Sequence, residues 1–149
     1  MKDFPLDEII LRKYEIPESK DIRELIKKFC LSIGLLQEGD SRDIIIDIIL
    51  VLINKKKEKR NLNIKEIKNE VEKIRKNYGL EIKGLSESNI RRQLRRLKDL
   101  MIIEKIKNSY RLYEFENIEN ILERILEIKL NSIIKRIKEY AKAIDENSK

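Results

Sequence analysis

Apolar side chains recur along this chain of 149 residues mostly at spacings of three and four, the period of helices that bury one face. Ile22, Leu25, Ile26, Phe29, Cys30 and Ile33 form the first stripe, which predicts a helix over 19–33 that stops near Gly34. Ahead of it, Leu6, Ile9 and Ile10 fit either a short helix or an extended arm, ended by Pro17. After the polar break Gln37-Glu38-Gly39-Asp40, Ser41 is placed to cap a second helix over 42–54. From Ile44 to Ile53 every residue except Asp47 is apolar, so this helix is expected to be central and buried on most sides. Asn63 with Glu66 three residues on has the form of a capping box for a third helix over 64–77. Its inward stripe is Ile64, Ile67, Val71 and Ile74, and Gly79 fits its stop. Leu80–Gly84 alternates apolar and charged residues and would suit a short strand.

The next stretch, GLSESNIRRQLRRLKDLMIIEKIKNSYRLY from Gly84 to Tyr113, changes period within itself. Ser86 is placed to cap a helix over 87–100 whose apolar stripe is Ile90, Leu94, Leu97 and Met101. At about 100° per residue, Ser88, Arg91, Arg92, Arg95 and Arg96 fall on the opposite side. Ile102–Lys107 and Tyr110–Tyr113 then read as two strands joined at Asn108-Ser109. Beyond the hairpin, Asn117 is placed to cap a long last helix. Its stripe contains Ile118, Ile121, Leu122, Ile125, Leu126, Leu130, Ile133, Ile134, Ile137, Tyr140, Ala141 and Ile144. At 1.5 Å per residue this helix runs roughly 40 Å, more than one small domain covers. A second copy of the chain is the simplest cover, which makes Leu122, Ile125, Leu126, Leu130, Ile133, Ile137, Tyr140 and Ile144 the expected dimer interface. Packing against the helix at 19–33 is the competing explanation. The expected organisation is an N-terminal helical extension over 1–40, a central domain over 41–115 and a dimerisation helix over 116–149.

Charge adds to this picture. The chain carries +7 overall, but 55–113 holds 19 Lys and Arg against 8 Asp and Glu, a net of +11, so the remainder carries −4. A basic middle between acidic flanks points to a polyanionic partner. Aromatics make up 5% of the residues and isoleucine alone accounts for 28 of them, so the core is aliphatic; four glycines and two prolines favour a mostly helical fold. Richness in Ile, Lys and Glu fits a heat-adapted source, as it would an AT-rich genome. The single cysteine, Cys30, sits on an apolar stripe and reads as a core residue; with no disulfide possible within the chain, the cytoplasm is the expected compartment. Met1–Pro5 leads into charged residues rather than an apolar run, so no secretory signal is expected. The longest apolar run is too short to span a bilayer.

Catalysis has little material. There is no histidine to act as a general base near neutral pH, and one cysteine without histidine makes no zinc site of the usual kind. The glycines are scattered singly, with no phosphate-cradling loop. Asp43 and Asp47 lie four apart on one helix, but a solvated edge or a capping role suits them better than a metal pair. No enzyme activity, cofactor or metal is expected.

The order of helix 42–54, helix 64–77, helix 87–100 and hairpin 102–113 resembles the winged helix-turn-helix transcription regulators. The likeness is greatest to the archaeal and MarR-like dimeric kind with a long C-terminal helix. It is carried by Leu85–Ile103, where a serine-rich entry, a branched apolar residue and two leucines lead into a short apolar run. Glycine is common in the family where this chain has Met101, so a less sharp helix exit is expected, and the turn from Gly79 to Ser86 is long for the family. The resemblance implies a mainly α fold with a β-hairpin wing, binding double-stranded DNA as a homodimer. In that role the helix 87–100 enters the major groove, with Ser88, Asn89, Arg91, Arg92 and Arg95 at base edges and Arg96 beside them on the basic face. Ser86 and Lys65 hold phosphates, and Lys105, Lys107 and Arg111 lie on or beside the wing at the backbone or minor groove. Protein–protein interaction within a replication, segregation or transcription-initiation complex is the alternative from another class, and structured RNA is a third. Nothing in the pattern identifies a small-molecule effector.

Overall fold

The computed structural model describes residues 3–40 and 43–148, so the cap expected at Ser41 lies outside the described residues. Nine consecutive residues, Ile44 to Leu52, are buried, and the other elements pack around them. They belong to α2 (Ile44–Lys56), which touches α1 (Ile22–Ser32), α3 (Ile64–Asn77), α4 (Glu87–Asp99) and the second strand of the hairpin. The chain is mainly helical with one small antiparallel hairpin, β1 (Ile103–Ile106) and β2 (Ser109–Leu112). Cys30 is wholly buried in this core, and burial pushes its thiol up to about 12 against the opposing field of Arg96.

Asp47 is the polar exception on α2 and is 0% exposed. Its carboxylate accepts from Arg23 Nε at 2.8 Å and Nη2 at 3.0 Å, and from Arg75 Nη1 at 2.7 Å. Asp43, one turn earlier, accepts from Arg23 Nη2 and Arg75 Nη1, each at 2.9 Å. Asp43, at the N-cap position of α2, and Asp47 thus bind one arginine from α1 and one from α3, and the pair expected on a solvated edge or in a capping role forms the junction of three helices. The sequence reading missed it because the partners lie 20 to 32 positions away.

Residues 3–40 are helical only in α1. Residues 3–20 hold no helix, which settles the choice between short helix and arm in favour of the arm. Arg12 pins it across the end of α1: its amide donates to Ser32 O at 2.8 Å and its guanidinium to Leu31 O at 2.8 Å and Gln37 Oε1 at 2.7 Å. Gly34, at φ +79°, makes the crossing possible, since a Cβ there would sit 2.7 Å from Ile10 Cβ.

Local signals account for most element ends. Asn63 and Glu66 form the reciprocal capping box, and Ser86 Oγ accepts from the Asn89 amide. Gly79 at φ +67° closes α3, with Leu80 N–H donating to Arg75 O. Residues 80–84 form no strand. Met101 adopts φ +67°, the conformation a glycine would take, while Ile102 N–H bonds Leu97 O and Met101 N–H bonds Lys98 O. The exit from α4 is therefore sharp without a glycine, against the less sharp exit expected, because β1 must turn back at once onto the core. Ile106 pairs with Ser109, so the hairpin turn is Lys107-Asn108, one residue earlier than expected. Leu62 bridges Tyr110 and ties the hairpin to the start of α3.

After a 3-10 turn at Tyr113–Phe115, the last helix is α5 (Ile118–Ile125), a π segment at Leu126–Leu130, and α6 (Asn131–Asn147). Asn117 stands at the cap position but does not cap; its Oδ1 accepts from Lys56 Nζ instead. Ile121 and Ile125 are buried in the domain core, so Ile125 is not part of any surface for a second copy. Ile128, three positions on, would continue that line in a regular helix but is 52% exposed, while Leu130, five positions on, is half-buried. The π segment absorbs the extra residue, worth about 100° of rotation, and Leu130, Ile133, Ile137, Tyr140 and Ile144 continue the core-facing line outward. No residue of α6 is buried; Ile137, Tyr140 and Ile144 are 61%, 67% and 65% exposed. Among the described residues no helix is long and apolar enough to cross a membrane.

Candidate nucleic-acid interface

A cleft of about 550 Å³ opens between the start of α3, the outer face of α4 and the hairpin. Lys65, Arg91, Arg95, Lys98 and Lys105 line it, against a single carboxylate, Glu87; Asn63, Ile64, Asn108 and Tyr110 complete the wall. The geometry follows from three local facts. The capping box sets the direction of α3 and so the position of Lys65. Ile90, Leu94 and Leu97 anchor α4 in the core and turn Arg91, Arg95 and Lys98 outward. The Leu62–Tyr110 bridge holds the hairpin beside them.

Lys65, Arg91, Arg95 and Lys105 are thus the predicted residues that the fold brings together. Lys98 joins them and was missed, although it stands three residues after Arg95 and seven after Arg91 on the same face. Arg92 and Ser88 lie outside the cleft and exposed, with Ser88 Oγ 3.2 Å from Ser86 Oγ. Lys107 projects from the hairpin turn at φ +58°. The side chains of Arg91, Arg92, Arg95 and Lys98 make no hydrogen bond or ion pair among the described residues, so their full charge faces solvent or a partner.

Four predicted residues are employed elsewhere. Asn89 Nδ2 donates to Gly84 O at 2.9 Å, and Asn89 Oδ1 accepts from Gln93 Nε2 at 3.2 Å. Gln93 Oε1 accepts from Arg96 Nη1 at 2.8 Å, and Arg96 Nη2 donates to Leu35 O at 2.6 Å. Residues 89, 93 and 96 thus make a continuous polar chain along one flank of α4, which fastens it to the loops at Gly84 and Leu35. Arg111 Nε donates to Glu104 at 2.9 Å and its guanidinium lies 4.7 Å from the Phe115 ring centre. Ser86 accepts from the Asn89 amide as the helix cap. The basic loop after α2 is likewise committed in part, since Lys56 bonds Asn117 and Arg60 pairs with Glu66.

The arrangement concentrates fixed positive charge in a slot open to solvent. Among the described residues no group of His, Cys, Asp and Glu side chains converges to hold a metal ion. No protein-family model, characterised protein or solved structure matches the chain.

Proposed function

We propose that this protein binds double-stranded DNA as a transcription regulator of the winged helix-turn-helix kind. In this reading α4 lies in the major groove and the β1–β2 hairpin is the wing on the adjacent backbone or minor groove. The observation that carries it is the cleft with five cations against one carboxylate. Its cations stand on three separate elements, whereas a face made only for solubility would need no such convergence. The lysines of the cleft, Lys65, Lys98 and Lys105, clamp a phosphate strand, and the exposed arginines of α4 meet base edges.

The protein acts as a homodimer in this reading. Support comes from the apolar line that leaves the core at Ile125 and runs through Leu130, Ile133, Ile137, Tyr140 and Ile144, left uncovered along α6. A two-fold pairing of such arms would place two reading heads on one duplex and favour a palindromic site. The acidic flanks keep the rest of each subunit off the DNA. An interaction module within a larger complex remains the second reading, favoured by Phe4 and Leu6, which stand 76% and 93% exposed on the arm.

A titration of pure protein against duplex fragments at several salt concentrations tests the proposal. About three phosphates neutralised per subunit predict that log K falls with log salt at a slope of about −3 per subunit. Binding that is absent, or insensitive to salt, refutes DNA binding and leaves the interaction module.

A further inference from the structure

The polar chain on α4 decides which side chains remain to read a base. Asparagine and glutamine are the residues suited to adenine, whose N6 donates while N7 accepts. Both such residues on this helix are occupied at each end of their amides. Asn89 binds Gly84 O and Gln93, and Gln93 binds Asn89 and Arg96. Arg96 is removed too, because Leu35 O and Gln93 hold its guanidinium. Ser88 shares its hydroxyl with Ser86. The arginines of this helix that stay exposed with no side-chain partner are Arg91, Arg92 and Arg95. A guanidinium presents paired donors, and the only base edge in the major groove with two adjacent acceptors is guanine, at O6 and N7.

Resting on the DNA-binding reading, we infer that the protein selects guanine, through Arg91, Arg92 and Arg95, and reads no adenine directly. Arg91 and Arg95 are one helical turn apart, about 6 Å along α4. Base pairs are stacked about 3.4 Å apart, so the guanines contacted fall within about three consecutive base pairs, on either strand. Asn89, Gln93 and Arg96 serve as positioning residues: they hold the orientation of α4 through Gly84 and Leu35 and touch no base.

The test is selection of duplexes from a randomised pool by the purified full chain, at a salt concentration that suppresses non-specific retention, followed by sequencing. The expected result is a core with guanine at two or three positions inside three to four base pairs. In the selected duplex, another base pair at one of these positions lowers affinity about 5- to 140-fold, and 7-deazaguanine, which removes N7 but keeps O6, lowers it by less. Arg91→Ala, Arg92→Ala or Arg95→Ala each flattens the preference at one position, with little change in melting temperature because these side chains are exposed. Arg92→Lys keeps the charge but loses the fork, so it retains non-specific binding while the preference at its position falls. Salt-sensitive binding with a core lacking guanine, or a preference unchanged in all three variants, overturns the guanine assignment and leaves DNA binding standing. Failure to retain any duplex at low salt removes both.

Discussion

The junction of α1, α2 and α3 sets a test of what holds the helical core together. Replacing Asp47 with Asn keeps the shape and removes the charge. Of the three charge-assisted bonds, one or two are lost where the amide nitrogen points a donor at Arg23 or Arg75, and the rest fall to bonds with a neutral oxygen. Arg75, 5% exposed, would keep Asp43 and the carbonyl of Glu81 but lose its shortest carboxylate contact. Removing one partner of a buried ion pair costs about 3–5 kcal/mol, because the remaining charge is left poorly solvated. For a chain of this size that lowers the melting temperature by roughly 6–20 °C. Urea unfolding followed by circular dichroism measures the loss. The triple replacement Arg23→Met, Asp47→Leu and Arg75→Met removes the charges together and is expected to recover most of it. Asp43 retains enough exposure to hydrate when its partners go. A loss below about 1 kcal/mol for Asp47→Asn would refute the assigned network, as would a triple variant no better than the single one.

The same junction gives a pH dependence. Burial alone would raise the Asp43 carboxyl, but its bonds to Arg23 and Arg75 outweigh burial and hold it below the ordinary value of 3.8. A carboxylate with a lowered folded value stabilises the fold fully above the unfolded value, and the contribution disappears as pH falls through the folded one. Stability should therefore drop below about pH 4. Asp43→Asn should flatten that acid limb and leave the slope near neutrality unchanged; an unaltered acid limb would disprove the pairing.

Two other perturbations probe features on which the functional reading relies. Deleting Ile128 takes one residue from the π segment and turns α6 by about 100° relative to the core; sedimentation should then show weaker self-association than in the intact chain, whose dimer mass is twice 17.9 kDa, and an intact chain that is itself monomeric would discard the dimer. Gly34→Ala places a methyl against Ile10 at φ +79°; a loss of at least about 1–2 kcal/mol is expected, with faster proteolysis at Arg12 and Lys13, and unchanged cleavage would mean the arm is not held there.

Much of the local structure was readable from composition and spacing. The capping box of Asn63 and Glu66, the serine cap at Ser86, the stop at Gly79 and the apolar stripes of α1 to α4 all depend on residues within four positions of one another. The basic face of α4 was equally visible, and so was the buried character of α2. Met101 shows the limit of local rules. Its backbone takes the conformation expected of glycine, because Ile102 and Ile103 are drawn into the core directly after the helix.

Sequence by itself therefore determined the elements, their inward faces and the region of excess positive charge, since all three follow from side chains adjacent on one helix or strand. The tertiary structure decided which charges remain available. Arg96 and Arg75 look alike in sequence to Arg92 and Arg95, yet Leu35 O, 61 positions away, takes the first and Asp47, 28 positions away, takes the second. It also decided that Asp43 and Asp47 are a junction, and that Ile125 belongs to the core while Ile137 belongs to the surface. The physical reason is common to all of these. A hydrogen bond or a buried contact depends on distance in space, which the chain sets only after distant segments have packed.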